Sequence, residues 1–144
     1  MVIKMQYKRY DGGYWVRIDR GEEILPCLKS VAREEKIRSA SVSGIGAAGS
    51  VCVGLYDTEA HRYIENTFEK DMEIVSLLGS VSEKDGEVYL HLHAGLADET
   101  GAMAGGHLTK AVISGTCEIW LTLTGAPVNR KFEAGIGLNL MEFS

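Results

Sequence analysis

Three of the four histidines lie within one stretch, residues 89–107, which reads YLHLHAGLADETGAMAGGH. Apolar and polar residues alternate in its first half, which is typical of a β-strand, so His91 and His93 are predicted to leave the same face of a sheet. A polar turn and two glycines then bring the chain back to His107. Three neutral imidazoles that converge on one point provide the protein ligands of an open zinc site, with a fourth position left for water or a small ligand.

The His-x-His pair also has a plainer interpretation, in which both imidazoles are ordinary polar side chains on a solvated face. Two observations favour metal binding. Residues two apart on a strand are ~6.5 Å apart, which lets two imidazoles reach one ion, and a third histidine follows directly after two glycines. We therefore predict a zinc site formed by His91, His93 and His107, and we assign no catalytic residue and no organic cofactor.

Other residues near the histidines leave alternatives open. Glu87 and Tyr89 share the predicted histidine face and are candidates to line the site, although Tyr89 suits a subunit contact equally well. Asp98 is a candidate to orient a ligating imidazole, but capping of its own turn is the preferred role. Glu73 is interpreted as a half-exposed strand residue and His61 as an exposed one.

The rest of the chain predicts the elements that must position this stretch. Apolar residues recur at helical spacing over residues 22–36, which predicts the one long helix. Alternating or β-branched runs predict strands at residues 2–10, 14–19, 40–43, 51–56, 61–68, 72–81, 87–96, 117–124 and 138–143. This pattern predicts an α+β fold with a largely antiparallel sheet. No linker or repeat divides the 144 residues, so a single domain spanning residues 1–144 is expected.

A glycine-rich segment, residues 44–49 (GIGAAG), matches the GxGxxG pattern of dinucleotide-binding loops. That pattern binds a pyrophosphate only where its last glycine opens a helix, whereas residues 50–56 (SVCVGLY) predict a strand. We therefore interpret these glycines as a tight connection between strands or as places of close backbone approach.

Composition and charge exclude several classes of function. The formal net charge of −5 is a poor match for the phosphate backbone of nucleic acid, whose binding depends on clustered Lys and Arg. No apolar run approaches the ~20 residues needed to span a bilayer, and no segment has the pattern of an export signal, so a cytoplasmic protein is expected. Cys27, Cys52 and Cys117 are widely spaced and are predicted to be buried small hydrophobic residues.

Five short motifs together carry a resemblance to a known family. They are residues 21–23 (GEE), 42–47 (VSGIGA), 72–74 (MEI) followed by 78–79 (LG), 90–93 (LHLH) and 105–108 (GGHL). In this order and at these separations they resemble the PPC domain, the family conserved in plants and prokaryotes, over roughly residues 14–144.

The resemblance implies a fold, an assembly and a set of ligands. PPC domains are α+β folds that form homotrimers, and their fold is similar to that of acetolactate decarboxylase, a zinc enzyme. Prokaryotic members stand alone, are labelled DNA-binding by kinship with plant proteins that carry AT-hooks, and can bind zinc through histidines that match His91, His93 and His107. This chain has no Arg-Gly-Arg-Pro core, so direct DNA binding is not expected.

Two functions follow as hypotheses. The first is a trimeric zinc-binding domain that holds a small ligand at the metal and has a regulatory role, tied to DNA through a partner. The second is a zinc enzyme acting on a small carbonyl or carboxylate compound. We favour the first, because no acid, base or nucleophile can be placed beside the histidines from the sequence. Apolar residues such as Trp120 and Leu138 add modest support for a trimer, since association would cover exposed sheet faces.

Overall fold

In the computed structural model, which describes residues 4–144, the chain forms one helix and nine strands. The helix, α1, is Ile24–Glu34. The strands are β1 (Gln6–Tyr10), β2 (Gly13–Asp19), β3 (Ala40–Asp57), β4 (Arg62–Phe68), β5 (Met72–Lys84), β6 (Glu87–Ala97), β7 (Met103–Leu123), β8 (Asn129–Glu133) and β9 (Leu138–Glu142). The predicted α+β fold with one main helix is confirmed, and every strand pair is antiparallel except a single β5–β8 contact.

The predicted opening hairpin and the predicted helix are both present. Residues 2 and 3 of the first predicted strand lie outside the described residues, and Gly12, with φ of +81°, forms the tight turn between β1 and β2. The helix starts later than predicted, because Glu23 is its N-cap and accepts a hydrogen bond from the backbone N–H of Leu25. Glu22 is instead buried, and its carboxylate accepts from the backbone N–H of Asp19 at 2.9 Å.

The prediction of two short strands separated by a glycine break at residues 44–49 is wrong. Strand β3 runs unbroken through these glycines, with β5 on one side and β7 on the other. A Cβ on Gly44 would lie 2.8 Å from the Glu118 carbonyl oxygen, and one on Gly46 would lie 2.7 Å from that of Thr116. Close backbone approach, one of the two expected uses of the glycines, is therefore their role.

The sheet closes on itself around a strand, β7, that the sequence predicted only in part. Strand β7 is 21 residues long, whereas only its C-terminal part was predicted. It pairs with β2 and β3, β3 pairs with β5, and β6 pairs with both β5 and β7, so β7, β3, β5 and β6 form a closed ring. Strand β4 extends the ring beside β3, and the β8–β9 hairpin, of which β8 was not predicted, continues from β5.

The core lies between α1 and the inner face of this sheet. The helix contributes a buried stripe that includes Ile24, Leu28 and Val31, as its spacing predicted. The three cysteines are free and buried, which confirms their interpretation as small hydrophobic residues. Burial raises the pKa of Cys27 to about 11 and that of Cys117 to about 12. Within residues 4–144, no helix is long and apolar enough to cross a membrane.

Candidate metal centre

Strand β6 presents two of the three histidines on its outer face. Leu92, between them, is 1% exposed and packs into the core, so His91 and His93 point away from the core as predicted. Neighbouring β5 comes close to this part of β6, because Gly79 has no side chain and a Cβ there would lie 1.9 Å from the His91 carbonyl oxygen. Gly79 therefore helps to set the position of the histidine strand.

Strand β7 brings the third histidine to the same face. His107 lies directly opposite His93 in the β6–β7 ladder. The preceding residue, Gly106, permits close approach to β3, since a Cβ there would lie 2.6 Å from the Gly54 carbonyl oxygen. In the turn that joins the two strands, the Asp98 carboxylate accepts from the backbone N–H of Thr100 at 2.9 Å, so Asp98 caps its own turn as preferred above.

The structure brings the three predicted ligands together. The ring centroids of His91 and His93 are 5.1 Å apart, those of His91 and His107 are 5.4 Å apart, and those of His93 and His107 are 5.7 Å apart. One nitrogen from each ring lies within 4.8 Å of the other two. Three nitrogens bound to one tetrahedral zinc are about 3.3 Å apart, so modest ring rotations suffice to bind an ion.

The surroundings of His91 and His107 favour the neutral form that binds a metal ion. Burial lowers the pKa of His91, and nearby Arg130 and His93 lower it further. Burial also lowers the pKa of His107, while Glu65 acts in the opposite direction. The Nδ1 atom of His107 is buried and has no hydrogen-bond partner within residues 4–144, which is costly for a polar atom unless something else binds there. A divalent ion would satisfy this set of three nitrogen donors.

Residues from β4, which the sequence did not connect to the site, lie beside His107. The ring of Tyr63 stacks on that of His107 with 4.5 Å between centroids and 21° between planes. Glu65 lies opposite Gly54, which in turn lies opposite His107, and its carboxylate accepts from the Cys52 thiol at 3.3 Å. The sequence correctly predicted β4 as an exposed strand, but nothing local in it indicates which strand it pairs with.

Arg130, on β8, is another neighbour that sequence reasoning missed. Its guanidinium lies 4.7 Å above the centre of the Tyr89 ring and donates to Ser82 Oγ at 2.8 Å. Tyr89 therefore does flank the site, two residues before His91 on the same face of β6. A single arginine in an unpredicted five-residue strand carries no sequence signal that could have identified it.

The other acidic and imidazole candidates lie outside the cluster. Glu87 is exposed and lies 3.6 Å from Arg33 in an ion pair with the helix. Glu73 is exposed on β5 opposite Ala97, away from the three rings. His61 is exposed, as predicted.

One row of directly opposed residues crosses the outer face and ends at the histidines. Along it, Trp15 pairs with Trp120, Trp120 with Ser43, Ser43 with Leu78, Leu78 with His93, and His93 with His107. Opposed residues share a face, so Leu78 borders the candidate metal centre, and Trp15 and Trp120 lie farther along the same face. We call the apolar patch the group formed by Trp15, Ile45, Val75, Leu78 and Trp120.

The fold and the site together define a small α+β domain whose antiparallel sheet carries a three-histidine cluster on its outer face. The sequence pattern of the Plants and Prokaryotes Conserved (PCC) domain matches residues 5–124 of this chain, and the chain belongs to that family. The matched region starts before the stretch that carried the resemblance, and it ends before the β8–β9 hairpin.

Solved structures agree with this assignment. A plant- and prokaryote-conserved protein from Pyrococcus horikoshii is 34% identical, with a TM-score of 0.85 and coverage of 100% of this chain and 99% of that one. A proposed DNA-binding protein from Bacteroides thetaiotaomicron is 31% identical, with a TM-score of 0.93 and coverage of 96% and 97%. A metal-containing protein from Archaeoglobus fulgidus is 31% identical, with a TM-score of 0.84 and coverage of 99% of both chains. No curated protein matches the chain.

Proposed function

We propose that this protein is a trimeric zinc-binding domain that holds a small ligand at an open metal position and has a regulatory role. The observation that carries the proposal is the convergence of His91, His93 and His107, whose ligand nitrogens lie within 4.8 Å of one another. The similarity to a protein described as metal-containing supports it.

Zinc is the expected ion because the donor set consists of three imidazole nitrogens. Such sets suit zinc, and three protein ligands leave a fourth tetrahedral position open. A bound zinc would supply Lewis acidity and a coordination position for a ligand. The chain's own contribution is to orient the imidazoles, which the stacking of Tyr63 on His107 supports, and to favour the neutral forms of His91 and His107 through burial.

The apolar patch supports the proposed homotrimer. Trp15 is 51% exposed, Ile45 is 56% exposed and Leu78 is 57% exposed, although all three lie on one continuous sheet face. Contiguous exposed apolar surface of this kind is typical of a protein interface. Because Leu78 lies opposite His93, association through this patch would place a subunit boundary beside the metal centre.

We propose that any link to DNA runs through a partner protein in the cytoplasm. A relative is described as a proposed DNA-binding protein. This chain has a net charge of −5, so direct contact with phosphates would be weak and would be lost at moderate salt. Fluorescence anisotropy with a labelled duplex should show no binding at about 150 mM salt; tight binding there would contradict this part of the proposal.

The alternative function is a zinc enzyme acting on a small carbonyl or carboxylate compound, and Glu65 provides a specific basis for it. This residue lies opposite Gly54, which lies opposite His107, so its carboxylate is a candidate acid or base beside the cluster. Turnover of such a compound that is lost in both Glu65→Gln and His91→Ala would establish this alternative over a purely binding role.

The proposed metal site is tested by titrating zinc into chelator-stripped protein in a calorimeter. We expect one zinc per chain, and His91→Ala should weaken binding by at least about tenfold, since it removes one of three ligands. The matched control is His61→Ala, which removes an exposed imidazole outside the cluster and should leave binding unchanged. Equal binding in the His91 and His61 variants would overturn the proposal.

A further inference from the structure

Among the residues that the structure describes, Arg130 is a partly buried cation without an anionic partner. Its Nε donates to Ser82 Oγ at 2.8 Å, its Nη1 to the Asn139 carbonyl oxygen at 3.0 Å, and its Nη2 to Ser80 Oγ at 3.4 Å. All three acceptors are neutral, and among residues 4–144 no carboxylate lies within 4.0 Å of this guanidinium. An arginine has five N–H donors, so two of the donors have no acceptor in these three hydrogen bonds and the positive charge is not neutralised by them.

The β5–β6 register places this charge beside the metal centre. Ser80 lies directly opposite His91, and Ser82 lies directly opposite Tyr89. Directly opposed side chains on one sheet face have Cβ atoms about 5 Å apart, so a guanidinium that reaches both serines lies next to the His91 ring. The Tyr89 ring beneath the guanidinium holds the group in place.

We propose that Arg130 is the specificity-determining residue of the site, which binds a small carboxylate that coordinates the metal ion and pairs with the Arg130 guanidinium. The proposal rests on the proposed function, because it requires the ion. The two free donors of a planar guanidinium match the two oxygens of a carboxylate. A ligand of this kind would also supply the missing counter-charge.

A singly charged carboxylate fits better than a phosphate. Glu65 lies beyond His107, opposite Gly54, and adds negative charge on that side of the cluster, which disfavours a dianion. The hydrogen bonds to Ser82 and Ser80 also tie the β8–β9 hairpin to β5, but a purely structural role would leave the unpaired charge unexplained. Arg130 lies outside residues 5–124, so the family pattern does not include it.

The test uses the protein loaded with cobalt, whose visible absorption reports ligand entry to the ion. The probes are lactate, a 2-hydroxy carboxylate, and lactamide, its neutral isostere. We expect lactate to bind at least about tenfold more tightly than lactamide, and Arg130→Gln to remove that preference without changing cobalt content. Lys131→Gln is the matched control, because it makes the same charge change at the next, exposed residue, and it should retain the preference.

Each outcome separates the carboxylate role from the metal site itself. If the protein takes up a full complement of cobalt but binds lactate and lactamide equally, or binds inorganic phosphate more tightly than lactate, the carboxylate proposal alone is overturned. Failure to take up cobalt would instead contradict the metal site. If Arg130→Gln loosens the hairpin, a measurement on the unmodified, zinc-loaded protein still tests the proposal. Its Arg130 Nε–H nuclear magnetic resonance signal should shift with lactate and not with lactamide, and an unchanged signal at saturating lactate would overturn the proposal.

Discussion

His93 and His107 face each other directly across the β6–β7 ladder, with 5.7 Å between ring centroids and 88° between ring planes. Because side chains alternate in direction along a strand, a slip of one residue in this pairing would send one of the two rings into the core face. The buried Leu92 and Leu108, each next to one of these histidines, oppose such a slip. The hydrophobic core therefore fixes the geometry of the candidate metal centre.

The pH dependence of the stability of the metal-free protein should reflect protonation of the two partly buried imidazoles, His91 and His107. Burial lowers the pKa of His91 and His107, so the unfolded chain binds more protons than the folded one once the pH falls below the ordinary value of about 6.5. Stability due to these groups is fully present above that value and is lost on acidification. Thermal unfolding at pH 7.5 and 5.5 should show a smaller loss in a His91→Gln/His107→Gln variant; an equal loss would contradict the expectation.

Zinc affinity should fall over the same range, because protons compete with the ion for the ring nitrogens. The lowered pKa values shift this competition to a lower pH than for exposed imidazoles. Zinc titrations between pH 5 and 8 measure the effect. Affinity that stays constant down to pH 5 would show that the imidazoles are not the ligands.

Replacement of Gly106 by Ala should disturb the return strand that carries His107. The new Cβ would lie 2.6 Å from the Gly54 carbonyl oxygen, so β7 and β3 must separate locally, at a cost of about 1–3 kcal/mol in the free energy of unfolding. Gly115→Ala is the control on the same strand, since its Cβ would meet only Ala47 at an ordinary 3.5 Å. Chemical denaturation measures both; equal stability in the two variants would show that the close approach has no energetic weight.

A charge in the apolar patch should break the assembly. Leu78→Asp places a carboxylate at an exposed position opposite His93, and a buried, unpaired charge in an interface is costly. Light scattering should give three times the chain mass for the native protein and a smaller mass for the variant. Phe132→Asp, at an exposed position of β8, a strand that carries none of the patch residues, should remain trimeric. A native monomer would overturn the proposed trimer.

The cysteines should be unreactive in the folded state. Burial raises the pKa of Cys27 to about 11 and that of Cys117 to about 12, so at pH 8 few of these thiols are ionised. In a Cys52→Ser variant, a thiol-specific reagent should label neither residue within minutes and should label both after denaturation. Rapid labelling of the folded variant would contradict their placement in the core.

Local patterns in the sequence predicted the features that depend on local physics. Alternation around Leu92 placed His91 and His93 on one face, and helical spacing identified α1, because both signals arise from the geometry of single elements. The glycines of β3 misled the prediction. Their local preference for turns was overridden by pairing on both sides, where the absence of side chains permits close approach.

The remaining parts of the site depend on long-range register. Tyr63 stacks on His107, and Glu65 lies near it, only because β4 pairs with β3. Arg130 lies beside His91 only because the last hairpin packs against β5. Nothing within a short window of sequence specifies these pairings. The histidines were therefore predictable, whereas the residues that surround them were not.

The most direct test of the account is the metal content of the purified protein, measured by elemental analysis. We predict close to one zinc, or a similar divalent ion, per chain, its loss in the His91→Ala/His93→Ala/His107→Ala variant, and its retention in His61→Ala. A triple variant that is folded and carries as much metal as the native protein would contradict the three-histidine site.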